Sequence, residues 1–410
     1  MPEPTNASIN VDVLILGSGV QGLWLLNDLI RAGYSALLIE RDSIGGDQTL
    51  HSHGFIHQGI GYPHCHHLSD FQRAAEHWRR FVSASEDLVS HTSAHVGFVG
   101  LANSLLWEDH WQKARLSYKV EEIPKQFCGS TLRKLYRTDE FAVHLVRLIE
   151  RLCEPVREFI VHGEVKQIRA VNGQVTDMTA AIGARSFRIH PQSVVLAAGE
   201  GNAQLISQID GLDHSTPAHH LRKSHVVVVR GQSLLEPINL LIPDIWLFVV
   251  SQTGDDGHPV WLLTSDVDKA YDGQSGPDAD AIQRTVAKLR CFDPALFSRT
   301  NVSKMEWGAY VGLKVEPDSN PDGPPPLQWC IKSFGLANLF AVWPTKLTFA
   351  PLASADVVSQ LERSGLSRKL VNQSAFADLQ GKPLVFRQEK WRSVEWQNWI
   401  DFRDGYGIHD

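Results

Sequence analysis

The feature that most constrains the fold is a glycine-rich turn near the N terminus, Gly17-Ser18-Gly19-Val20-Gln21-Gly22. The turn follows an apolar run of strand length at residues 11–16 and precedes leucines at helical spacing. A second apolar run at residues 36–39 ends in Glu40, where a Rossmann-type unit carries an acidic residue. This order of strand, glycine turn, helix and second strand predicts a βαβ unit that binds a dinucleotide.

The residue types of this turn suit the phosphates and the ribose of a dinucleotide. Glycines allow the tight turn, the close approach of the pyrophosphate and the close packing of helix on sheet. A carboxylate at the end of the second strand can accept hydrogen bonds from ribose hydroxyls. A glycine turn with a purely structural role is the alternative. The residues assigned to the cofactor here are Gly17, Ser18, Gly19, Val20, Gln21, Gly22, Glu40 and Arg41.

Chain length and patterning indicate more than one domain. A chain of 410 residues is too long for one ordinary core, so we expect two domains. Residues 68–81, 141–152 and 353–361 have helical patterns, whereas residues 159–165, 194–197 and 339–342 have strand patterns. Residues 225–265 are β-rich and contain a hairpin signal. The predicted fold class is α/β, with a Rossmann-type nucleotide-binding domain and a β-rich substrate domain built on an antiparallel sheet.

The predicted domain organisation is discontinuous. We expect the nucleotide-binding domain at residues 1–85, 140–210 and 330–365, and the substrate domain at residues 86–139 and 211–329. Residues 366–410 are expected to form a C-terminal extension.

Composition and charge bear on the partners and the location of the protein. The formal net charge of -7 is spread along the chain without a block of like charge, so nucleic acid is not expected as a partner. The 5 cysteines are scattered singly, which is typical of a reducing compartment. The first ten residues lack a secretory signal, and no apolar stretch is long enough to span a bilayer. We therefore expect a cytoplasmic protein without an integral membrane segment.

Later segments favour a flavin over a nicotinamide cofactor. Residues 194–202 form a strand that runs into small residues, which lets the backbone approach a cofactor. They resemble the second nucleotide-contacting segment of the D-amino-acid-oxidase (DAO) superfamily of flavoproteins. Residues 162–168 resemble the strand whose backbone meets the adenine in that superfamily. The resemblance implies FAD as the cofactor, with contacts from Val165, Ala198 and Gly199.

The most specific segment is residues 48–62, QTLHSHGFIHQGIGY. It resembles the flavin-contacting loop of the L-2-hydroxyglutarate oxidase and dehydrogenase family and, less closely, that of glycerol-3-phosphate dehydrogenases. The resemblance implies cofactor contacts from Gln48, Thr49 and His51, and it places His51 and His57 near the isoalloxazine ring. A metal site is the alternative for this histidine-rich stretch. Because no spaced acidic or thiolate partners complete a ligand set, we predict no metal.

Two lysines stand at positions that the superfamily uses. Residues 307–318 resemble a segment in which an arginine commonly faces an anionic substrate group, and Lys314 falls at that position. Residues 342–351 occupy the final FAD segment of the superfamily, which implies contacts from Lys346, Leu347 and Thr348. A cation beside a helix N terminus could stabilise the negative charge of a reduced flavin. A solvent-facing side chain is the alternative for both lysines.

These observations predict an FAD-dependent oxidoreductase that acts on a small molecule. The expected reaction oxidises a CH–OH or CH–NH carbon, of the 2-hydroxy acid type, by hydride transfer to the flavin. We assign catalytic roles to His57 as the base, to His51 as the second choice for the base or as a covalent flavin attachment, and to Lys314. Oxidation of an amine or amino acid is one alternative, and a catalytically silent flavin-binding protein is another. Whether O2 or a quinone accepts the electrons stays open at this stage.

Overall fold

The computed structural model describes residues 7–62, 65–90, 92–127, 129–212, 218–231, 236–265, 269–274, 276–317, 325–366, 379 and 383–409. The chain divides into two compact units. The first unit comprises Met1–Leu50, Leu145–Leu221 and Lys314–Arg387, and the second comprises His51–His144, Arg222–Leu313 and Gln388–Asp410. The chain therefore passes between the units several times, whereas the functional domain boundaries given above stay a prediction.

A largely parallel sheet organises the first unit. The parallel part runs in the order β8, β2, β1, β10 and β18, and β17 closes the edge antiparallel to β18. β9 pairs antiparallel with both β8 and β10. Strands buried on both sides read as continuous apolar runs, as β2 and β18 do. The strands are β1 (Ala7–Leu16), β2 (Ala36–Glu40), β8 (Ile160–Val171), β9 (Gln174–Ile182), β10 (Arg185–Leu196), β17 (Cys330–Lys332) and β18 (Leu339–Trp343).

Helices of the first unit follow the strands as the sequence predicts. The glycine turn leads from β1 into the first helix, and β2 follows, so the predicted βαβ unit is confirmed. Asn27 ties this first helix to a later one by donating from Nδ2 to the Leu152 carbonyl at 2.7 Å. The helices are α1 (Val20–Arg31), α2 (Asp47–Leu50), α5 (Leu145–Cys153), α6 (Gly201–Ser207) and α9 (Ala350–Arg363), with 3-10 turns at Glu154–Phe159 and Leu347–Phe349.

The second unit contains a large, mostly antiparallel sheet. Its strand order is β19, β16, β11, β14, β13, β12, β4, β6 and β5, with β15 beside β11, and a separate ribbon pairs β3 with β7. The strands are β3 (Phe55–Ile56), β4 (Ala94–Phe98), β5 (Tyr118–Glu121), β6 (Lys134–Thr138), β7 (Phe141–Ala142), β11 (His220–Arg230), β12 (Asn239–Ile242), β13 (Leu247–Thr253), β14 (Pro259–Ser265), β15 (Lys269–Ala270), β16 (Glu306–Glu316) and β19 (Gln397–Asn398).

The predicted hairpin is confirmed in this sheet. β13 and β14 are joined by a turn in which the Gly254 amide donates to the His258 carbonyl at 2.8 Å. The helices of the unit are α3 (Leu68–Val82), α4 (Leu101–Lys113), α7 (Ala279–Phe292), α8 (Arg299–Val302) and α10 (Trp399–Gly405), with 3-10 turns at Glu86–Leu88, Lys125–Phe127, Pro294–Phe297 and Lys390–Ser393.

One predicted helix starts later than its pattern indicates. Residues 141–152 were expected to be helical throughout, but Phe141 and Ala142 form β7 and the helix begins at Leu145. The pairing of β7 with β3 overrides the local pattern, because strand hydrogen bonds come from a distant segment. Among the described helices, none is long and apolar enough to cross a membrane.

Candidate functional site

The glycine turn of the first unit contains two glycines that the protein itself requires. Gly17 has φ +104, and a Cβ there would lie 2.6 Å from the Cα of Ala198. A Cβ on Gly22 would lie 1.9 Å from the Gly17 carbonyl oxygen. These glycines allow the backbones of the turn, of α1 and of the segment after β10 to approach one another. Their role is therefore close packing.

Gly19 differs from Gly17 and Gly22 in its surroundings. It has φ -66, which any residue adopts, and a Cβ there would meet only the Thr49 Oγ1 at 3.4 Å. Contacts within the described chain therefore do not explain a glycine at this position. A ligand that approaches the N terminus of α1 does explain it, because the pyrophosphate of a dinucleotide needs that space. The turn fits FAD on this ground.

Neighbouring side chains add polar groups to the same turn. Gln21 is buried, and neither its Oε1 nor its Nε2 has a hydrogen-bond partner among the described residues. Thr49 approaches the start of α1, where its Oγ1 accepts a hydrogen bond from the Val20 amide at 3.2 Å. An unpaired buried amide is costly, so a bound polar ligand or water is the expected partner of Gln21.

The predicted ribose-binding carboxylate closes this turn. Glu40 Oε2 accepts hydrogen bonds from the amide and the hydroxyl of Ser18, at 2.8 and 2.6 Å. Its Oε1 accepts from the Asp42 amide at 2.8 Å. A carboxylate has about four acceptor positions, so these contacts leave capacity for a ribose hydroxyl. Arg41 instead pairs with Asp42 at 3.0 Å and donates to Gln204 Oε1 at 2.8 Å.

The segment after β10 lies beside the turn. The Ala197 amide donates to the Leu16 carbonyl at 2.8 Å, and the Ala198 amide donates to Asn202 Oδ1 at 2.8 Å. A Cβ on Gly199 would lie 3.8 Å from the Gln48 Oε1, so that space is open as well. Asn202 is fully buried, and the sequence analysis assigned it no role. The sequence offers one signal for Asn202, namely its position about one helical turn after Ala198, where the strand runs into small residues.

Two further features of the first unit concern predicted nucleotide-binding segments: the pKa of Glu200 and the strand register around Val165. Burial, and then the negative charge of Asp47, raise the pKa of Glu200, the residue after Gly199. β8 pairs with β2 up to Glu40 opposite His162, so buried Val165 lies three residues beyond the end of that parallel pairing. The backbone at Val165 is also where the pairing with β9 changes register. This irregularity lies inside β8 (Ile160–Val171), beyond the part of the strand that pairs with β2.

The segment after β18 contains a tight turn. Thr345 has φ +59, and the Lys346 amide donates to the Pro344 carbonyl at 2.6 Å, which together define a γ-turn. The Thr345 hydroxyl donates to the Gln328 carbonyl at 2.8 Å. A β-branched residue in this conformation is strained, and strain of this kind concentrates at functional sites. Lys346 is half-buried and directly precedes the 3-10 turn Leu347–Phe349, in which Thr348 is buried.

The histidine-rich loop, residues 51–62, belongs to the second unit and is held from several sides. The Tyr310 hydroxyl donates to the His51 carbonyl at 3.2 Å, and Gln252 Nε2 donates to the His53 carbonyl at 3.1 Å. Glu140 Oε1 accepts from the amides of Gln58 and Ile60, at 3.0 and 3.2 Å. The backbone of this loop is therefore held by hydrogen bonds from three distant segments of the chain. Neither Gln252 nor Glu140 carries a motif that identifies it in the sequence.

The imidazole of His57 is seated among aromatic rings. Its centroid lies 4.7 Å from that of Phe71 and 5.4 Å from that of Tyr62. Tyr62 and Phe71 stack on each other at 5.5 Å. The ring is half-buried, so its orientation is restricted while part of it stays accessible.

The strand that carries Lys314 also contacts the histidine-rich loop. A Cβ on Gly312 would lie 3.2 Å from the Cβ of His51, a tight contact, so β16 runs close to the loop at this residue. Burial raises the pKa of Tyr310, which keeps its hydroxyl protonated as a donor. Lys314 lies two residues beyond Gly312 on the same strand and is half-buried.

Metal-ligating side chains do not converge within the described residues. No group of three or more His, Cys, Asp or Glu side chains there has the arrangement of a metal site. His64, one of the histidines in this stretch, lies outside the described residues.

Comparisons with known proteins agree with this geometry. The family profile named "FAD dependent oxidoreductase" (DAO) matches residues 12–357. A Pseudomonas aeruginosa protein named as a probable FAD-dependent oxidoreductase is 28% identical over 382 residues, which cover 88% of this chain and 93% of that protein.

Solved structures share the fold at lower identity. The crystal structure of the FAD dependent oxidoreductase from Pseudomonas aeruginosa has a TM-score of 0.71 at 23% identity, covering 95% of this chain and 99% of that one. Glycine oxidase from Geobacillus kaustophilus has a TM-score of 0.64 at 15% identity, covering 87% and 95%. L-alpha-glycerophosphate oxidase from Mycoplasma pneumoniae, solved with FAD bound, has a TM-score of 0.65 at 16% identity, covering 86% and 95%.

Proposed function

This chain belongs to the DAO family of FAD dependent oxidoreductases, and from that premise we propose that it oxidises a small molecule at a carbon bearing a hydroxyl or an amine. When bound, FAD would supply the two-electron acceptor for the hydride of that carbon. The substrate carbon thereby becomes a carbonyl or an imine, and the heteroatom proton passes to a base of the protein. O2 or a quinone is the proposed acceptor that reoxidises the enzyme.

The observation that carries the proposal is the contrast between the two structural glycines and Gly19. Space at Gly19, beside the N terminus of α1 and the buried Gln21 amide, suits a pyrophosphate. In this proposal Glu40 accepts a ribose hydroxyl, and Val165, Ala198 and Gly199 approach the nucleotide with their backbones. The further cofactor contacts assigned in the sequence analysis, including Arg41 and Leu347, are part of the same proposal.

We propose His57 as the base that accepts the heteroatom proton. An imidazole has an unperturbed pKa of about 6.5, which suits proton abstraction near neutral pH. Restriction of its ring by Phe71 and Tyr62 supports the assignment, because a base must be held in one orientation to act. His51 is the second choice, and Lys314 is proposed to attract an anionic substrate group.

Amine oxidation is the second candidate for the same site. Glycine oxidase and glycerophosphate oxidase both share this fold, so the fold does not choose between nitrogen and oxygen substrates. A cytoplasmic location and a small soluble substrate remain part of the proposal.

Anaerobic bleaching of the flavin tests the reaction directly. The FAD-loaded protein is mixed with 2-hydroxy acids, glycerol phosphate, amino acids and secondary amines, and the oxidised flavin absorbance is followed. Bleaching by one class of compound identifies the substrate class. If dithionite bleaches the flavin but no compound of the panel does, oxidation of these substrates is wrong.

A further inference from the structure

Glu140 is a buried carboxyl group that the proposed reaction does not use. It lies between β6 and β7 in the second unit and is 8% exposed. Its Oε1 accepts two backbone hydrogen bonds, from Gln58 at 3.0 Å and from Ile60 at 3.2 Å. Both donors belong to the histidine-rich loop and lie on the C-terminal side of His57.

Strand register explains how Glu140 reaches this loop. β3 and β7 pair antiparallel, with Phe55 opposite Ala142 and Ile56 opposite Phe141. Extending the same register by one residue places Glu140 opposite His57. The side chain of Glu140 therefore extends past His57 to the next amides of the loop.

The loop has the conformation that such an anchor requires. Gly59 lies between the two anchored amides and has φ +93, and a Cβ there would lie 2.7 Å from Leu68 Cδ2. The left-handed residue turns the amides of Gln58 and Ile60 toward one oxygen. Trp111 Nε1 holds the other side of the turn by donating to the Ile60 carbonyl at 3.0 Å. Without an acceptor at position 140, two buried amides would lose their partner, which is costly.

We propose that Glu140 is a positioning residue that fixes the backbone of residues 57–60 and thereby the orientation of the His57 imidazole. The inference rests on the proposed role of His57 as the base. Glu140 does not contact the reacting atoms in this proposal. It acts through the loop, and a neutral side chain with the same acceptor oxygen can replace it.

Burial favours the neutral form of this side chain. Burial is the main cause that raises the pKa of Glu140 to about 8, and the two backbone hydrogen bonds and the charge of Arg79 on α3 lower it by less. Arg79 also donates to the neighbouring Asp139 carbonyl at 3.4 Å. Arg79 is thus the charged group that acts on Glu140 from a neighbouring helix.

Hydrogen exchange of the FAD-loaded protein tests the anchor without any substrate. Glu140→Ala should raise the exchange of the Gln58 and Ile60 amides about tenfold or more, because their shared acceptor is lost. Glu140→Gln keeps an acceptor oxygen of the same reach and should leave both amides within about threefold of wild type. Equal exchange in wild type and Glu140→Ala would overturn the proposal. If Glu140→Ala does not fold, Glu140→Asp decides, since a shortened side chain should also raise exchange in this loop.

A second buried carboxyl group of the same unit is the matched control. Asp293 is also 8% exposed, burial raises its pKa, and it accepts the Leu296 amide at 3.3 Å. Asp293→Ala should leave the exchange of residues 57–60 unchanged. If it loosens this loop as Glu140→Ala does, the effect is general destabilisation and the anchor is refuted.

Measurements of the flavin reduction rate and of KM then distinguish a positioning role of Glu140 from a purely structural role. With a compound that bleaches the wild-type flavin, Glu140→Ala should slow flavin reduction about tenfold or more while KM stays within about threefold, and Glu140→Gln should restore the rate. Failure of Glu140→Gln to restore it would contradict the proposal. If no compound of the panel bleaches the wild-type flavin, the proposed function fails, whereas the exchange result still decides whether Glu140 holds the loop.

Discussion

The two units place their candidate functional residues by different means. In the first unit, the glycine turn and Glu40 lie within one βαβ unit, and Glu40 bonds Ser18 only 22 residues away. In the second unit, the histidine-rich loop is held by Glu140 and by Tyr310, at separations of 82 and 259 residues. The first arrangement can be recognised in the sequence as a motif, whereas the second forms only when distant segments come together in the folded chain.

The difference also concerns what each glycine does. Gly17 and Gly22 are required by backbone contacts inside the protein, whereas the space at Gly19 is proposed to accommodate the pyrophosphate of FAD. In the second unit, Gly59 has the left-handed conformation that favours glycine (φ +93), and Gly312 is in close contact with the histidine-rich loop. A glycine-rich sequence alone does not distinguish these roles.

The largest expected effect separates the glycines of the first unit. Gly22→Ala should destabilise the protein by about 3 kcal/mol, because its Cβ would overlap the Gly17 carbonyl oxygen. Gly19→Asp should leave the thermal stability of the FAD-free protein nearly unchanged, since aspartate is a favourable N-cap residue, but it should abolish FAD loading by occupying the phosphate space. Thermal unfolding and the flavin absorbance of the purified variants measure both effects. Normal FAD content in Gly19→Asp would show that the turn does not face the pyrophosphate.

The second largest expected effect is on the rate of flavin reduction and comes from His57 in the second unit. His57→Ala should slow flavin reduction about a hundredfold with FAD still bound, because a general base contributes about that factor. Stopped-flow reduction of the FAD-replete variant measures it. His67→Ala is the control, since His67 lies in the same stretch but pairs with Asp70 at 3.8 Å. A rate for His57→Ala within a few fold of wild type would remove His57 from the mechanism and favour His51.

A pH dependence of stability should arise from the second unit. The pKa of Glu140 is raised to about 8 in the folded protein from an ordinary value of 4.5. Between these values the folded protein keeps a proton that the unfolded chain has released, so stability falls as pH rises. The loss should be at most about 1.4 kcal/mol for each pH unit in that window. Glu140→Gln should lack this component.

Chemical denaturation of wild type and Glu140→Gln at several pH values measures this difference. The free energy of unfolding of Glu140→Gln, relative to wild type, should increase from pH 5 to pH 8. A constant difference over this range would show that Glu140 stays ionised in the folded protein.

The smallest expected effect returns to the first unit. If Lys346 lies beside the flavin as proposed, Lys346→Met should lower the flavin midpoint potential by about 20 mV, equivalent to about 1 kcal/mol for a two-electron couple. Spectroelectrochemistry measures the shift. Arg363→Met removes a charge from the far, exposed end of α9 and should leave the potential unchanged. Equal potentials in wild type and Lys346→Met would place that lysine in solvent.

Much of the first unit was predictable because its signals are local. The pattern of β1, α1 and β2 depends on hydrophobic periodicity and on glycines next to one another in the sequence. The helix expected over residues 141–152 was wrong at its start, because β7 forms through pairing with β3. Local propensity does not report a partner strand that lies 85 residues earlier in the chain.

The sequence by itself determined the α/β class and the βαβ unit of this protein, because both depend on residue types at short, fixed spacing. FAD as the cofactor followed from the resemblance of later segments to the DAO superfamily. Only the tertiary structure decided that Gly19, rather than Gly17 or Gly22, leaves room for a ligand. Only the tertiary structure showed that Glu140 accepts hydrogen bonds from two amides of the histidine-rich loop. The physical reason is that hydrogen bonds and steric clearances act over a few ångströms in space, whatever the separation of the residues along the chain.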